Sequence, residues 1–193
     1  SAVAVRAPEA DGGAAILKRE PRRLDLSAIA KGLGVDQIYT LLDDQGYANF
    51  LVEIGGEVRV KGDKDGLGWK IAVEKPIKGE RAVEQVLSLK NVALATSGDY
   101  RNYREIDGVA YSHTIDPSTG RPVTHQLASV TVADSECAMA DGWATALLVL
   151  GPDKGYELAV SRKIPAMFIE RSGDTFIVKQ TPRFERLLVG EVE

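Results

Sequence analysis

Cysteine is almost absent from this chain of 193 residues: Cys137 stands alone, which excludes an intrachain disulfide and a metal cage built of thiolates. Long apolar runs are also missing. The longest candidate, Ala144 to Leu150, makes about two helical turns, against the roughly twenty residues that span a bilayer. Basic charge is not in excess. Lys and Arg number 24 against 28 Asp and Glu, for a net charge of −4, so no basic stripe is available to neutralise a phosphate backbone and nucleic-acid binding is not expected. The short basic run Lys18 to Arg23 reads as a solvated strand end. Tandem repeats, low-complexity tracts and linkers rich in Pro, Gly or Ser are lacking as well, so residues 1–193 read as one unit.

What is present is an ordinary globular composition, 44% apolar and 27% charged, with 19 glycines marking many tight turns. Ala14 to Leu26 reads as a short hairpin turning at Lys18 to Arg23. A helix follows, with Val35, Ile38, Leu41 and Leu42 at helical spacing and Gly46 as its stop. Strand-like runs at Phe50 to Ile54, Glu57 to Lys61, Trp69 to Val73, Glu84 to Leu89 and Val92 to Thr96 are separated by glycine-bearing turns and form the expected main sheet. After a loop from Ser97 to Pro122 come a strand at Ala128 to Val132 and a helix from an expected Ser135 N-cap to Leu150, closed by Gly151-Pro152. A short helix over Lys154 to Arg162 and a hairpin of Ala166 to Glu170 with Thr175 to Lys179 complete an α+β fold with a largely antiparallel sheet.

Three local patterns carry chemistry. Asp141 lies in a helix that is otherwise apolar on most sides, and Thr145 follows four residues on, one turn away on the same face. A carboxylate and a hydroxyl converging there suit Mg²⁺, which takes few protein ligands; the alternative is an Asp141 that caps a neighbouring backbone or pairs with an arginine. The loop Tyr111 to Pro122 holds His113, Asp116 and Arg121 in a turn fixed by Pro117 and Gly120. It could serve His113 as a proton acceptor beside Asp116, or could be a turn in which Asp116 bonds its own backbone. Leu24 to Gly32 runs into a helix start with small residues at Ser27, Ala28 and Ala30, a place where anionic groups approach, with Lys31 adding charge. Gly55-Gly56 and Thr96-Ser97-Gly98 read as tight turns or as loops that let a phosphate come close.

In order along the chain, Leu24 to Gly32 with Val35-Asp36, Val52 to Glu57, Thr96 to Tyr100, Ser112 to Pro122, Ser129 to Val132 and Ala140 to Thr145 resemble the FAD:protein FMN transferases of the ApbE family. The resemblance runs from about Leu17 to the carboxy terminus, and the family's amino-terminal stretch, with its flavin-stacking aromatic, has no counterpart before Leu17. It implies FAD as substrate, Mg²⁺ as cofactor, transfer of FMN to a threonine of an acceptor protein in a membrane redox complex, release of AMP, and a location outside the cytoplasm. It further implies Asp141, Thr145 and the carbonyl of Ala28 as metal ligands, and Asp25, Lys31, Gly55, Gly56 and Ile115 at the cofactor. His113 would take the threonine's proton, with Asp116 as orienter or rival base. Two other activities fit the same residues: hydrolysis of FAD to FMN and AMP, and storage of FAD without catalysis.

Overall fold

A computed structural model describes residues 3–6, 15–21, 23–77, 79, 82–98, 103–106, 109–112 and 114–188. In chain order the elements are β1 (Val3–Arg6), β2 (Ala15–Lys18), α1 (Ser27–Asp44), β3 (Phe50–Ile54), β4 (Glu57–Lys61), β5 (Trp69–Glu74), β6 (Val83–Leu89), β7 (Val92–Gly98), β8 (Tyr103–Ile106), β9 (Val109–Ser112), β10 (Ile115–Asp116), β11 (Arg121–Pro122), β12 (Leu127–Asp134), α2 (Cys137–Leu150), α3 (Pro152–Ser161), β13 (Ala166–Ser172), β14 (Thr175–Gln180) and α4 (Pro182–Leu188). Every strand pairing among them is antiparallel, as an α+β fold requires.

A six-stranded sheet in the order β14-β13-β12-β7-β4-β3 forms the middle of three layers. β12 is central and buried on both faces. Val130 and Val132 point to α2 and α3, where they meet Ala140, Ala144, Leu147 and Ala159, while Ala133 points to the opposite core. That opposite core joins Val58, Val60, Leu94, Met167 and Ile169 of the sheet to Val73, Leu87 and Leu89 of the β5–β6 ribbon and Phe184 of α4. A third cluster, Val35, Phe50, Val52, Ala93 and Cys137, seats α1 on the sheet beside α2. Among the described residues no helix is long and apolar enough to cross a membrane.

Several expectations are corrected. The Ala15–Lys18 strand pairs upstream with Val3–Arg6 rather than with a segment after Arg23, and among the described residues 19–21 and 23–26 there is no strand; Pro21 has no amide to give a ladder. β5 and β6 leave the main sheet for a ribbon of their own, and β12, β13 and β14 take their place. The expected loop from Ser97 to Pro122 contains the hairpins β8–β9 and β10–β11. α4 was not foreseen. On α1 the period is helical, but Ile38 and Leu41 are exposed, and the buried face is Gly32, Val35 and Asp36. Gly46, at φ +83°, ends the helix as expected.

α2 also starts differently from expectation. Ser135 gives its hydroxyl to Asp134, and no side chain adjacent in sequence caps the helix. The cap comes from α1: the Asp36 carboxylate accepts the amides of Cys137 and Ala138, each at 2.9 Å, and holds Arg59 of β4 at 2.6 Å. A carboxylate at a helix N-terminus satisfies orphan donors and faces the positive end of the helix dipole, so this one side chain fixes α2 to both α1 and the sheet.

A candidate metal and cofactor cleft

α1 and α2 touch at Gly32. A Cβ there would collide with the Cys137 carbonyl, so only glycine lets the backbones approach this closely. That approach brings the Gly32 amide to Asp141, whose Oδ2 accepts it at 3.0 Å. In a regular helix the Gly32 amide belongs to the Ala28 carbonyl four residues back. Asp141 therefore meets the first turns of α1, where Ala28 lines the same cleft. One turn on, the Thr145 hydroxyl meets Ser97 of β7 at 2.9 Å. Oδ2 of Asp141 is thus engaged with a neighbouring backbone, the alternative weighed for this residue, and among the described residues nothing donates to Oδ1.

These groups open onto a cleft of about 1120 Å³. Its lining includes all the candidate cofactor and metal residues: Asp25, Ala28, Lys31, Gly55, Gly56, Ile115, Asp141 and Thr145. Leu51, Val58, Ile71 and Ala72 supply an apolar wall, and Lys70 and Glu74 of β5 line the same side. A large, partly apolar cleft with a few convergent polar groups is the usual form of a cofactor site. Among the described residues no cluster of three His, Cys, Asp or Glu side chains could hold a metal ion. The donor set here is of another kind, one carboxylate, one hydroxyl and one carbonyl, all hard oxygens, and it fits Mg²⁺ with water or phosphate oxygens completing the shell.

The charges around Asp141 are unevenly shared. Burial pushes its carboxyl above the ordinary aspartate value, against the Gly32 hydrogen bond and the nearby Lys31 charge. Glu57, 1% exposed, is likewise pushed up by burial and pulled down by Lys31, whose Nζ lies 2.7 Å from Oε1. At the cleft's edge Asp25 accepts the Ser27 amide at 2.8 Å and the Ser27 hydroxyl, and these two bonds hold its carboxyl below the usual range.

Asp116 is not in the cleft lining. Its carboxylate accepts the Ser118 hydroxyl at 2.7 Å and the Ser118 amide at 2.8 Å, which holds the carboxyl below the usual aspartate range and makes it the staple of the β10–β11 turn. His113 lies outside the described residues. Glu57, Asp36 and Ser97 received no individual role from sequence, yet they hold Lys31, α2 and Thr145. The signal for the first two was available on β4, where Glu57, Arg59 and Lys61 alternate and face Lys31, Asp36 and Asp43 of α1 as three ion pairs.

Fold and cleft together define an α+β domain in which two tightly crossed helices present hard oxygen donors to a cofactor-sized cavity. The sequence model of the ApbE family matches residues 2–168, and the chain belongs to that family. It is 51% identical over 154 residues to a protein of Vibrio cholerae serotype O1 named FAD:protein FMN transferase, covering 79% of this chain and 46% of that protein. A protein of the same name from Escherichia coli K12 is 40% identical over 169 residues, covering 87% and 48%. Among solved structures, the apo form of Pseudomonas stutzeri flavinyl transferase ApbE superposes with a TM-score of 0.81 at 39% identity, over 99% of this chain and 57% of that one. The flavin transferase ApbE from Vibrio cholerae gives 0.82 at 42% identity, over 95% and 57%. The chain thus spans about half the length of the curated relatives it matches.

Proposed function

We propose that this chain carries the metal and nucleotide site of an enzyme that transfers FMN from FAD to a threonine hydroxyl of an acceptor protein, releasing AMP. The observation that supports it most is that Ala28, Asp141 and Thr145, three residues able to offer hard oxygen donors, line one cleft large enough for a dinucleotide. The names of the relatives supply the reaction class. Mg²⁺, when bound by these three residues, would offset charge on the FAD pyrophosphate. Lys31 adds a positive charge to the same cleft, and the Gly55-Gly56 turn lets phosphate oxygens approach the backbone. The apolar residues of β5 and β4 give an aromatic ring a surface to bury against, which excludes water from the reacting phosphate. The incoming threonine must lose a proton as its oxygen bonds to phosphorus. His113 is assigned that proton; Asp116 is assigned the turn that carries the loop, because its carboxylate is already spent on Ser118.

The test incubates this chain, and the whole reading frame that contains it, with FAD, Mg²⁺ and a threonine-bearing acceptor domain, followed by mass spectrometry. Covalent FMN on the acceptor with one AMP released per transfer is the expected result. Free FMN with AMP would replace the transferase reading by a hydrolase, and bound, unchanged FAD would replace it by storage.

A further inference from the structure

Lys31 and Asp141 are neighbours that do not pair. The amide next to Lys31 donates to Asp141 Oδ2 at 3.0 Å, both side chains line one cleft, and among the described residues Asp141 Oδ1 has no donor. A long ammonium side chain beside a carboxylate that is 2% exposed would normally close onto it, since attraction is strong where water is scarce. The Lys31 ammonium is bound elsewhere, to Glu57 Oε1 at 2.7 Å.

Glu57 is well placed to keep it. Its side chain is 1% exposed, its second oxygen, Oε2, is buried with no hydrogen-bond partner, and Lys31 is its ion-pair partner among the described residues. Releasing Lys31 would strip the buried Glu57 carboxylate of its ion-pair partner while its Oε2 already lacks a donor, which is costlier than leaving Oδ1 of Asp141 open when Oδ2 keeps the Gly32 amide. Gly55 completes the arrangement. At φ +64° it has no side chain, and a Cβ there would press on Lys31 Cδ at 3.3 Å, so the glycine leaves room for the lysine stem to run to Glu57.

We infer that Glu57 is a positioning residue: it tethers the Lys31 ammonium away from Asp141 and so keeps the Asp141 carboxylate open for a divalent cation. The inference rests on the metal reading of the cleft given above and adds to it the residue that prevents the protein's own lysine from taking the cation's place. In Glu57→Gln the tether loses its charge, the ammonium moves to Asp141, and a cation must then displace it.

The experiment measures binding of Mn²⁺ alone by the electron paramagnetic resonance signal of the free ion, in the wild type, E57Q, K31M, the E57Q/K31M double variant and D141A. E57Q should weaken Mn²⁺ binding by about tenfold, the scale of one charge-assisted contact. The double variant should return to within about threefold of the wild type, because no ammonium remains to compete. A merely structural Glu57 would give the same loss in both backgrounds, and that result, or unchanged affinity in E57Q, would overturn the inference while D141A still abolished binding. Equal Mn²⁺ binding by the wild type and D141A would instead remove the metal reading, and the inference with it.

Discussion

Replacing Asp36 by asparagine tests the joint on which the cleft depends. Asp36 offers its two carboxylate oxygens to three donors, the amides of Cys137 and Ala138 and the guanidinium of Arg59, and it is 9% exposed. Asparagine keeps one oxygen and turns an NH₂ group toward donors that need acceptors. Losing the helix cap costs about 1 kcal/mol, and weakening a half-buried, charge-assisted bond to Arg59 costs about 2 kcal/mol. The sum of about 3 kcal/mol corresponds to a fall in Tm of about 6–12 °C for a domain of this size. Urea unfolding followed by circular dichroism should show a lower midpoint at unchanged slope. The matched control on the same helix is Asp43→Asn, which breaks the partly exposed pair with Lys61 of β4 and should cost at most about 1 kcal/mol. A loss in D36N no larger than that of the control would refute the argument that α2 is capped from α1.

Gly32→Ala drives a methyl group into the Cys137 carbonyl and should destabilise by about 3 kcal/mol or more in the same assay, whereas Gly34→Ala, which meets only the end of Ile54, should stay within about 1 kcal/mol of the wild type. Asp141→Asn should make the metal-free protein more stable at pH 7: the buried carboxyl titrates above its unfolded value, so the folded state retains its proton longer and stability is lost as pH rises through that interval. The gain over wild type should disappear below about pH 4, where Asp141 is protonated in both states; a gain that is constant with pH would contradict the charge-burial account. Burial pushes the Cys137 thiol up to about 12, so the native protein should not react with a disulfide reagent at pH 8, and labelling should follow the unfolding rate. Rapid labelling of the folded protein would be the contrary result.

The sequence made local features legible wherever the cause is local. The Gly46 and Gly151 helix stops, the alternating strands β3 and β4, and the i,i+4 pair Asp141 and Thr145 all follow from short-range geometry. It did not show causes that act across the chain. The cap of α2 comes from Asp36, whose amide partners are 101 and 102 residues away, so the nearer Ser135 looked like the cap. Strand patterning cannot say which sheet a hairpin joins, and β5–β6 was assigned to the main sheet although it forms a ribbon that completes a second core. Ile38 and Leu41 have the spacing of a buried face, but α1 lies on β4 through ion pairs and leaves them exposed. Glu57 stands in the sequence only as part of a motif, because its partner Lys31 lies 26 residues upstream on another element. The sequence leaves Asp116 between catalysis and turn-making, and the structure shows its carboxylate bonded to the Ser118 amide and hydroxyl within the turn.

The central claim is that the Ala28 carbonyl, Asp141 and Thr145 hold one divalent cation in the cleft. Its most direct test is the anomalous scattering of Mn²⁺ soaked into crystals of this protein. The account predicts a single strong peak bounded by the Asp141 carboxylate, the Thr145 hydroxyl and the Ala28 carbonyl, absent in crystals of Asp141→Ala. A peak elsewhere in the cleft that survives Asp141→Ala, or none at saturating Mn²⁺, would contradict it.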